Sequence, residues 1–258
     1  MRPIWTGSIG FGLVNIPVKI YTAIESAKLE LDMLDKSDLS HIKYLRVNEN
    51  TGKEVKWESI VKGYKYDDQY VVLEDEDFES ASAKKTKLIE ITDFVKIEEI
   101  DQIYYENAYF LEPDKGGKKA YLLLKEALLK TGKVGVATFV MRNKENLSVL
   151  RPTDKLILLH RLHFANEIRK PDELDLPEKS DIKGKELEMA ISLINQTTGE
   201  FDINQYKDTY VDELRNIIEK KAKGIKKTAP KFKIVHSKSQ DLMEQLKASL
   251  EMKKKKAS

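Results

Sequence analysis

The hydrophobic residues near the amino terminus alternate along the chain, and the phase of that alternation changes once. Large apolar side chains occupy odd positions up to Leu13 and even positions from Val14 to Ile20. Because successive side chains of a strand point to opposite faces, this change predicts a bulge or tight turn at Gly12. The pattern excludes a helix and predicts a bent strand pair within a closed or strongly coiled sheet.

Shorter alternating runs continue after this pair and predict further strands. Residues 40–47 and 54–57 flank a turn-rich segment and are predicted as a hairpin. The other predicted strands are 70–73, 88–97, 103–111, 134–141, 147–150 and 156–164. The run 134–141 is apolar on both faces, which is typical of a central strand. Many short strands within residues 1–165 favour a β-barrel or sandwich, so the fold class is mainly β with helices.

Helical periodicity appears in one segment among the strands and in others after them. Residues 118–130 are predicted as a helix that ends at Gly132, and 74–80 as an acidic turn or short helix. Beyond a connector over 167–185, one helix stops at Gly199 and another covers 204–221. The apolar stripes of these helices are Ala120, Leu124, Ala127 and Leu128, then Leu187, Ala190, Ile191 and Ile194, then Tyr206, Tyr210, Leu214, Ile217 and Lys221.

Charge is distributed unevenly, although the net charge is only +2. From Lys220 to the end there are 13 lysines against 3 acidic residues, a net +10, so the preceding residues carry −8. The sequence therefore predicts a core over 1–165, a connector and helical region over 166–224, and a Lys-rich tail over 225–258. Such a tail suits a polyanion, and the alternative is a tail that only increases solubility. A last capping box at Ser237 and Gln240 predicts a short helix within it.

Composition also limits the location of the protein. The chain has no cysteine, which fits a reducing compartment and removes disulfides and Cys-ligated zinc. The amino terminus lacks the basic and apolar segments of a secretion signal. No stretch approaches the roughly 20 apolar residues of a membrane helix. We therefore expect a cytoplasmic protein with no membrane partner.

A search for catalytic motifs finds none. There is no phosphate-binding loop of the Walker type, and Asn15 stands where a dinucleotide fingerprint needs glycine. His160 and His163 would point to opposite faces of a strand, so they are read as structural. The acidic run 75–77 lacks the glycine and glutamate of a calcium loop. We expect no catalytic residue, no metal site, no cofactor and no enzymatic activity.

Lysine and arginine residues cluster in two places without any groove-reading motif, so binding to nucleic acid would use phosphates and ignore sequence. For each residue the alternative is an ordinary solvated side chain. Trp57, within the first cluster, is expected in the core rather than as a platform for bases. The predicted DNA-binding residues are Lys43, Arg46, Lys53, Lys56, Lys62 and Lys65 along the hairpin, and Arg142, Lys144 and Arg151 around a strand-to-strand turn.

Several segments, taken in order, resemble the bacterial Ku family, the DNA-end-binding proteins of non-homologous end joining. The resemblance covers residues 1–224 and is specific as an ordered set. The segments are WTGSIGFGLVNIPVKIY from Trp5, VKGY from Val61, YENAYFLEP from Tyr105, the run from Tyr121 to Val134, Phe201-Asp202 and YKDTY from Tyr206.

This resemblance implies a Ku-type β-barrel core with an arm or bridge that encircles DNA, followed by a helical region and a basic tail. It implies a homodimeric ring on double-stranded DNA ends in the bacterial nucleoid. It also implies that the region beyond the barrel recruits an ATP-dependent end-joining ligase, for which the candidate contacts are Tyr206, Tyr210, Leu214 and Ile217. The residues alone favour the alternative that this stripe packs on the barrel of its own chain. Two alternatives stay open: a general nucleoid or RNA-binding protein without end selectivity, and an adaptor with no nucleic-acid role.

Overall fold

A closed β-barrel of seven strands occupies the centre of the computed structural model, which describes residues 1–25, 29–81, 87–142, 144–178, 182, 184–225, 245, 246 and 249. Its strands are β1 (Trp5–Phe11), β2 (Val14–Thr22), β5 (Leu88–Lys96), β6 (Tyr105–Pro113), β7 (Lys133–Met141), β8 (Lys144–Pro152) and β9 (Ile157–Leu162). They follow the order β1-β2-β6-β9-β8-β7-β5 around the barrel. The predicted fold class, mainly β with helices around a barrel, is confirmed.

The remaining elements lie outside the barrel wall. They are β3 (Lys62–Tyr66), β4 (Gln69–Leu73), α1 (Asp75–Ala81), α2 (Lys118–Thr131), α3 (Gly184–Thr197) and α4 (Thr209–Ala222). The chain divides into two compact units, with the barrel and Glu30–Lys170 in the first and the residues from Pro171 onward in the second.

The opening strand pair forms as the alternation predicts. β1 and β2 are antiparallel and meet at the pair Phe11–Val14, with Gly12 in the turn at a φ of +56°. Glycine is favoured there because a side chain at positive φ is strained. Ile9 on β1 and Ile16 on β2 are completely buried in the barrel, which is why the phase of the hydrophobic pattern changes across the turn.

The barrel closes where β1 runs parallel to β5 over three residue pairs, Ser8–Gly10 with Leu88–Glu90. Close approach explains the glycine at position 7, since a Cβ there would lie 2.2 Å from the carbonyl oxygen of Lys87. β7 pairs with β5 on one side and β8 on the other, so the prediction of a central strand is confirmed.

Helix α2 packs on the barrel and contacts β2, β7 and β8. The predicted stripe residues Leu124 and Leu128 are buried, Ala127 is exposed, and Tyr121 is a buried residue that the periodicity did not include. The Tyr121 hydroxyl donates to the Leu111 carbonyl and accepts from the Ile157 amide, both at 2.7 Å. It therefore joins β6 to β9 where their ladder ends.

A second, smaller core lies on the outer side of the barrel wall. Leu150 belongs to the main core, whereas its neighbour Val149 packs with Val134 and Leu162 in the second cluster. Residues 97–104 cover that cluster in two short 3₁₀ turns. Ile103 lies in the second of these turns and is exposed, so β6 begins at Tyr105, two residues later than predicted.

A long segment, hereafter the arm, connects β2 to β5 and is described over residues 29–81. From residue 30 to residue 72, no described side chain is buried and only Val55 is half-buried. The hairpin predicted over 40–57 forms only next to its turn, with one bridge between Val47 and Glu54 and backbone hydrogen bonds from Asn48 to Lys53 and from Val55 to Arg46, so its predicted length is wrong. The ordered pairing lies further on, where β3, which the sequence reading missed, pairs with the predicted strand β4.

The second unit contains α3 and α4. The predicted start of the helix over 204–221 is wrong: Asp202 caps only a 3₁₀ turn, and α4 begins at Thr209. The Asp208 carboxylate caps it by accepting from the amides of Tyr210 and Val211. In α3 the predicted stripe residues Leu187, Ile191 and Ile194 are exposed. Apart from the few residues described there, the predicted tail over 225–258 and its short helix lie outside the described residues.

Candidate nucleic-acid interface

The arm presents six of the nine predicted phosphate contacts, Lys43, Arg46, Lys53, Lys56, Lys62 and Lys65, and all six are exposed. Only Lys65 lies near a carboxylate among the described residues, at 3.9 Å from Asp68. Cations held at the surface without carboxylate partners keep their charge available to a polyanion. The arm therefore gathers cationic groups on a segment whose side chains do not build a core.

Two of these cations lie against aromatic rings. The guanidinium carbon of Arg46 is 4.6 Å from the centroid of the Trp57 ring, and Nζ of Lys62 is 4.5 Å from that of Phe78. The prediction that Trp57 belongs to the core is wrong, because the side chain is 67% exposed. Its sequence setting between Lys56 and Glu58, in a short segment rich in charged residues, was the available signal.

The second predicted cluster does not form as one group. Arg142 lies exposed in the turn between β7 and β8, at a φ of +55°, and Lys144 opens β8 beside it. Arg151 lies seven residues further along the same strand, which corresponds to roughly 23 Å. The expectation of one cluster is wrong, since the sequence reading stopped this strand short and took both of its ends for one turn.

The surroundings of Arg151 also differ from an open cationic surface. Arg151 lines a cavity of about 590 Å³ with Tyr105 and His160, and Glu98 and Asp101 lie at the same cavity. Burial raises the pKa of Tyr105, and the charge of Arg151 opposes this only in part. The pKa of His160 is lowered by burial and, in the same direction, by the charge of Arg151. Nε of Arg151 and Nε2 of His160 are the buried side-chain nitrogens that lack a partner in the described residues.

A charged network that the sequence did not indicate follows the start of β8. Lys144 lies 3.4 Å from Glu167, whose other carboxylate oxygen is 3.4 Å from Nδ1 of His163. The amide of Phe164 donates to Glu167 and is the main reason that the pKa of this carboxyl is lowered, with Lys144 adding to it. Arg161 on β9 makes a two-pronged ion pair with Glu106 on β6. Lys144 is thus partly engaged, whereas Arg142 has no carboxylate partner among the residues that the structure describes.

His160 and His163 have separate environments: the first packs edge-on against Tyr105 at 5.4 Å, and the second faces Glu167. Within the described ranges, no three metal-ligating side chains come together. Among the helices of the same ranges, none combines the length and apolar character needed to cross a bilayer.

The candidate ligase contacts lie in the second unit. Tyr206 precedes α4 rather than lying on its stripe, and it stacks on Phe201 with ring centroids 5.7 Å apart. Tyr206 and Tyr210 are 70% and 72% exposed, while Leu214 and Ile217 are half-buried on the helix. No described residue after Leu162 is buried, so this part of the chain has apolar side chains in excess of its own packing.

The described residues thus comprise a closed barrel, an exposed arm that carries six of the nine predicted phosphate contacts, and a helical unit in which no described side chain is buried. The sequence matches the Ku70/Ku80 beta-barrel domain family over residues 10–189. The chain belongs to the Ku family.

Curated relatives match this chain over most of their own length. The non-homologous end joining protein Ku of Opitutus terrae is 41% identical over 89% of this chain and 83% of the relative. The protein of that name from Bacillus subtilis is 42% identical over 89% and 74%, and that from Archaeoglobus fulgidus 43% over 97% and 99%. The solved SPOC domain of human PHD-finger protein 3 has a TM-score of only 0.32 at 13% identity over 62% of this chain and 95% of its own, and supports no argument.

Proposed function

We propose that the protein binds double-stranded DNA ends in non-homologous end joining, as a homodimeric ring that recruits an ATP-dependent DNA ligase. Membership of the Ku family supports DNA-end binding in this pathway. The ring and the ligase contact rest on the exposed surfaces of the arm and of the second unit.

The observation that supports a ring is the exposure of the side chains of the arm. From residue 30 to residue 72 it exposes large apolar side chains alongside its cations, including Tyr44, Tyr64 and Tyr66. Apolar surface on this scale, contiguous along one segment, marks a contact with another molecule. Two different partners match the two kinds of side chain: a second copy covers the apolar groups of the β3–β4 ribbon, and phosphates neutralise the cations.

The β3–β4 ribbon supplies the apolar face. In its register Tyr64 lies opposite Val71, and Tyr66 and Leu73 share the same side. A two-stranded ribbon is marginal in water unless that face is covered. Since two identical ribbons present the same surface, an isologous contact between copies covers both at once. The arms of the two copies then enclose the duplex.

Enclosure would explain selectivity for ends without base reading. Phosphate contacts carry no sequence information, so the cations of the arm hold any duplex equally well. A closed ring admits DNA only through a free terminus. Selectivity for ends thus comes from the closed topology of the ring, and the cations supply the affinity.

We expect the protein to bind a linear duplex and to reject the same DNA as a covalently closed circle. The measurement is retention on labelled plasmid, circular or cut once, after a challenge at about 0.2 M salt, where open phosphate contacts are weakened. The cut plasmid with both ends closed by hairpins has the same sequence and length but no free end, and it is the control. Equal retention on cut and closed plasmid would support a general nucleoid protein and reject the ring.

The proposed ligase contacts are Tyr206, Tyr210, Leu214 and Ile217. We expect the double variant Tyr206→Ala and Tyr210→Ala to keep end binding and to lose ligase stimulation by about tenfold, because exposed tyrosines are the residues most enriched at binding hot spots. The assay is joining of linear DNA by the ATP-dependent end-joining ligase of the same cell. Leu122→Ala with Leu123→Ala, exposed on α2, is the matched control, and full stimulation by the tyrosine variant would contradict this contact.

A further inference from the structure

Trp57 and Arg46 form a stacked pair on the exposed arm. The guanidinium lies over one face of the indole at 4.6 Å, and two thirds of the tryptophan remains open to solvent. Trp57 begins a short 3₁₀ turn, Trp57–Ser59, so its backbone is held by local hydrogen bonding rather than by a strand ladder. An indole fixed on one side and open on the other is a flat, accessible surface.

The chain has a second tryptophan, Trp5, with which this exposure can be compared. Trp5 donates its indole N–H to the Val140 carbonyl at 3.0 Å and packs edge-on against Phe139 at 6.0 Å. Trp5 is therefore part of the packing of the barrel, which is the usual role of a large aromatic side chain. Trp57 contributes to neither of the two cores, so its place needs another explanation.

Arginine stacked on an aromatic ring keeps the in-plane N–H groups of its guanidinium free to grip phosphate oxygens. Arg46 has no carboxylate within ion-pair distance among the residues described, so none of these N–H donors is engaged by a described carboxylate. Lys53 and Lys56 are close in sequence and exposed. The pair thus offers a phosphate grip and an open aromatic face side by side.

We propose that Trp57 and Arg46 bind unpaired nucleotides at the single-stranded overhang of a broken DNA end. A base stacks on the open face of Trp57, while Arg46 holds the adjoining phosphate. In an intact duplex the bases are already stacked on one another, so this platform acts only where a strand extends beyond its complement. This inference rests on the proposed function and deepens it, because phosphate contacts alone cannot tell a base-bearing overhang from a bare backbone.

The test compares three DNA ends on one hairpin-blocked duplex of about 30 base pairs: blunt, with a six-thymidine 3′ overhang, and with a six-residue abasic overhang. The two overhangs carry the same phosphates and differ only in their bases. We expect wild-type protein to bind the thymidine overhang at least about fivefold more tightly than the abasic one. This ratio should hold between about 0.05 and 0.2 M salt, since both overhangs release the same counterions.

In the variant Trp57→Ala the ratio should fall to one while affinity for the blunt end is retained. Trp57→Phe should keep part of the ratio because a smaller ring still stacks, and Phe201→Ala, which removes an exposed aromatic from the second unit, should leave it unchanged. Quenching of tryptophan fluorescence on binding the thymidine overhang, absent with the abasic overhang and in Trp57→Phe, is the direct signature of stacking.

Three results would overturn the proposal. Equal wild-type affinity for the two overhangs would show that bases are not read. An unchanged ratio in Trp57→Ala would place the stacking elsewhere. Dissociation of Trp57→Ala into single copies in sedimentation would assign the exposed indole to the contact between copies. The proposed function fails on a different measurement, the comparison of closed and cut plasmid.

Discussion

The double variant Tyr64→Asp and Val71→Asp is expected to sediment as a single copy of 29.7 kDa, where the wild-type protein sediments at twice that mass. The two positions face each other on the apolar side of the β3–β4 ribbon. Burying an unpaired carboxylate in a contact between copies costs several kcal/mol, and an isologous contact would bury four of them. With the ring open, the preference for cut over closed plasmid should disappear as well.

The opposite side of the same ribbon supplies the control. Tyr70 and Val72 point away from the Tyr64 face, so Tyr70→Asp with Val72→Asp adds the same charge to the other side of the same ribbon. We expect this variant to remain dimeric. Both variants should unfold with the barrel at the wild-type temperature, because none of the four residues is buried. A dimeric Tyr64 and Val71 variant would reject the ribbon face as the contact.

Reversing three charges on the arm should weaken end binding by a factor of roughly 10² to 10³ at about 0.1 M salt. The variant is Lys43→Glu, Lys53→Glu and Lys56→Glu, at positions without a carboxylate partner among the described residues. Each phosphate contact contributes about 0.9 to the slope of log K against log[salt], so the slope should become shallower by about 2.7. The measurement is a salt titration of binding to a blunt duplex.

A matched reversal on the barrel separates local contact from net charge. Lys96, Lys118 and Lys133 are exposed, and changing all three to Glu alters the net charge by the same amount. Lys96 pairs with Lys133 across β5 and β7, so reversing both replaces one like-charge pair with another. We expect a nearly unchanged slope. Equal losses in both variants would mean that the duplex responds to overall charge and that the arm is not its binding surface.

The barrel was predictable because its signal is local. The alternation around Gly12, the long runs that became β5 and β7, and the stop at Gly132 each depend on residues close in sequence. Side chains alternate along a strand and repeat along a helix, and burial of one face leaves that period in the sequence. The family resemblance, resting on ordered segments, added the arm and the barrel closure.

The errors arose where a side chain's surroundings come from distant residues. Trp57 is apolar and was read as core, yet it is 67% exposed and the guanidinium of Arg46 lies over its ring. Arg151 was grouped with Arg142 because β8 is longer than its hydrophobic centre. Tyr206 fits the periodicity of a helix that in fact begins at Thr209, where Asp208 satisfies the first free amides.

By itself the sequence determined the strands of the barrel, the helix α2, and a surplus of lysine in the tail, because hydrophobic period and charge are properties of consecutive residues. Only the tertiary structure decided which cations lack a carboxylate partner among the described residues, that Arg151 lies apart from Arg142, and that Trp57 is exposed although Arg46 lies over its ring. Those facts depend on which distant segments approach each other and on how much surface they cover, and no local pattern records either.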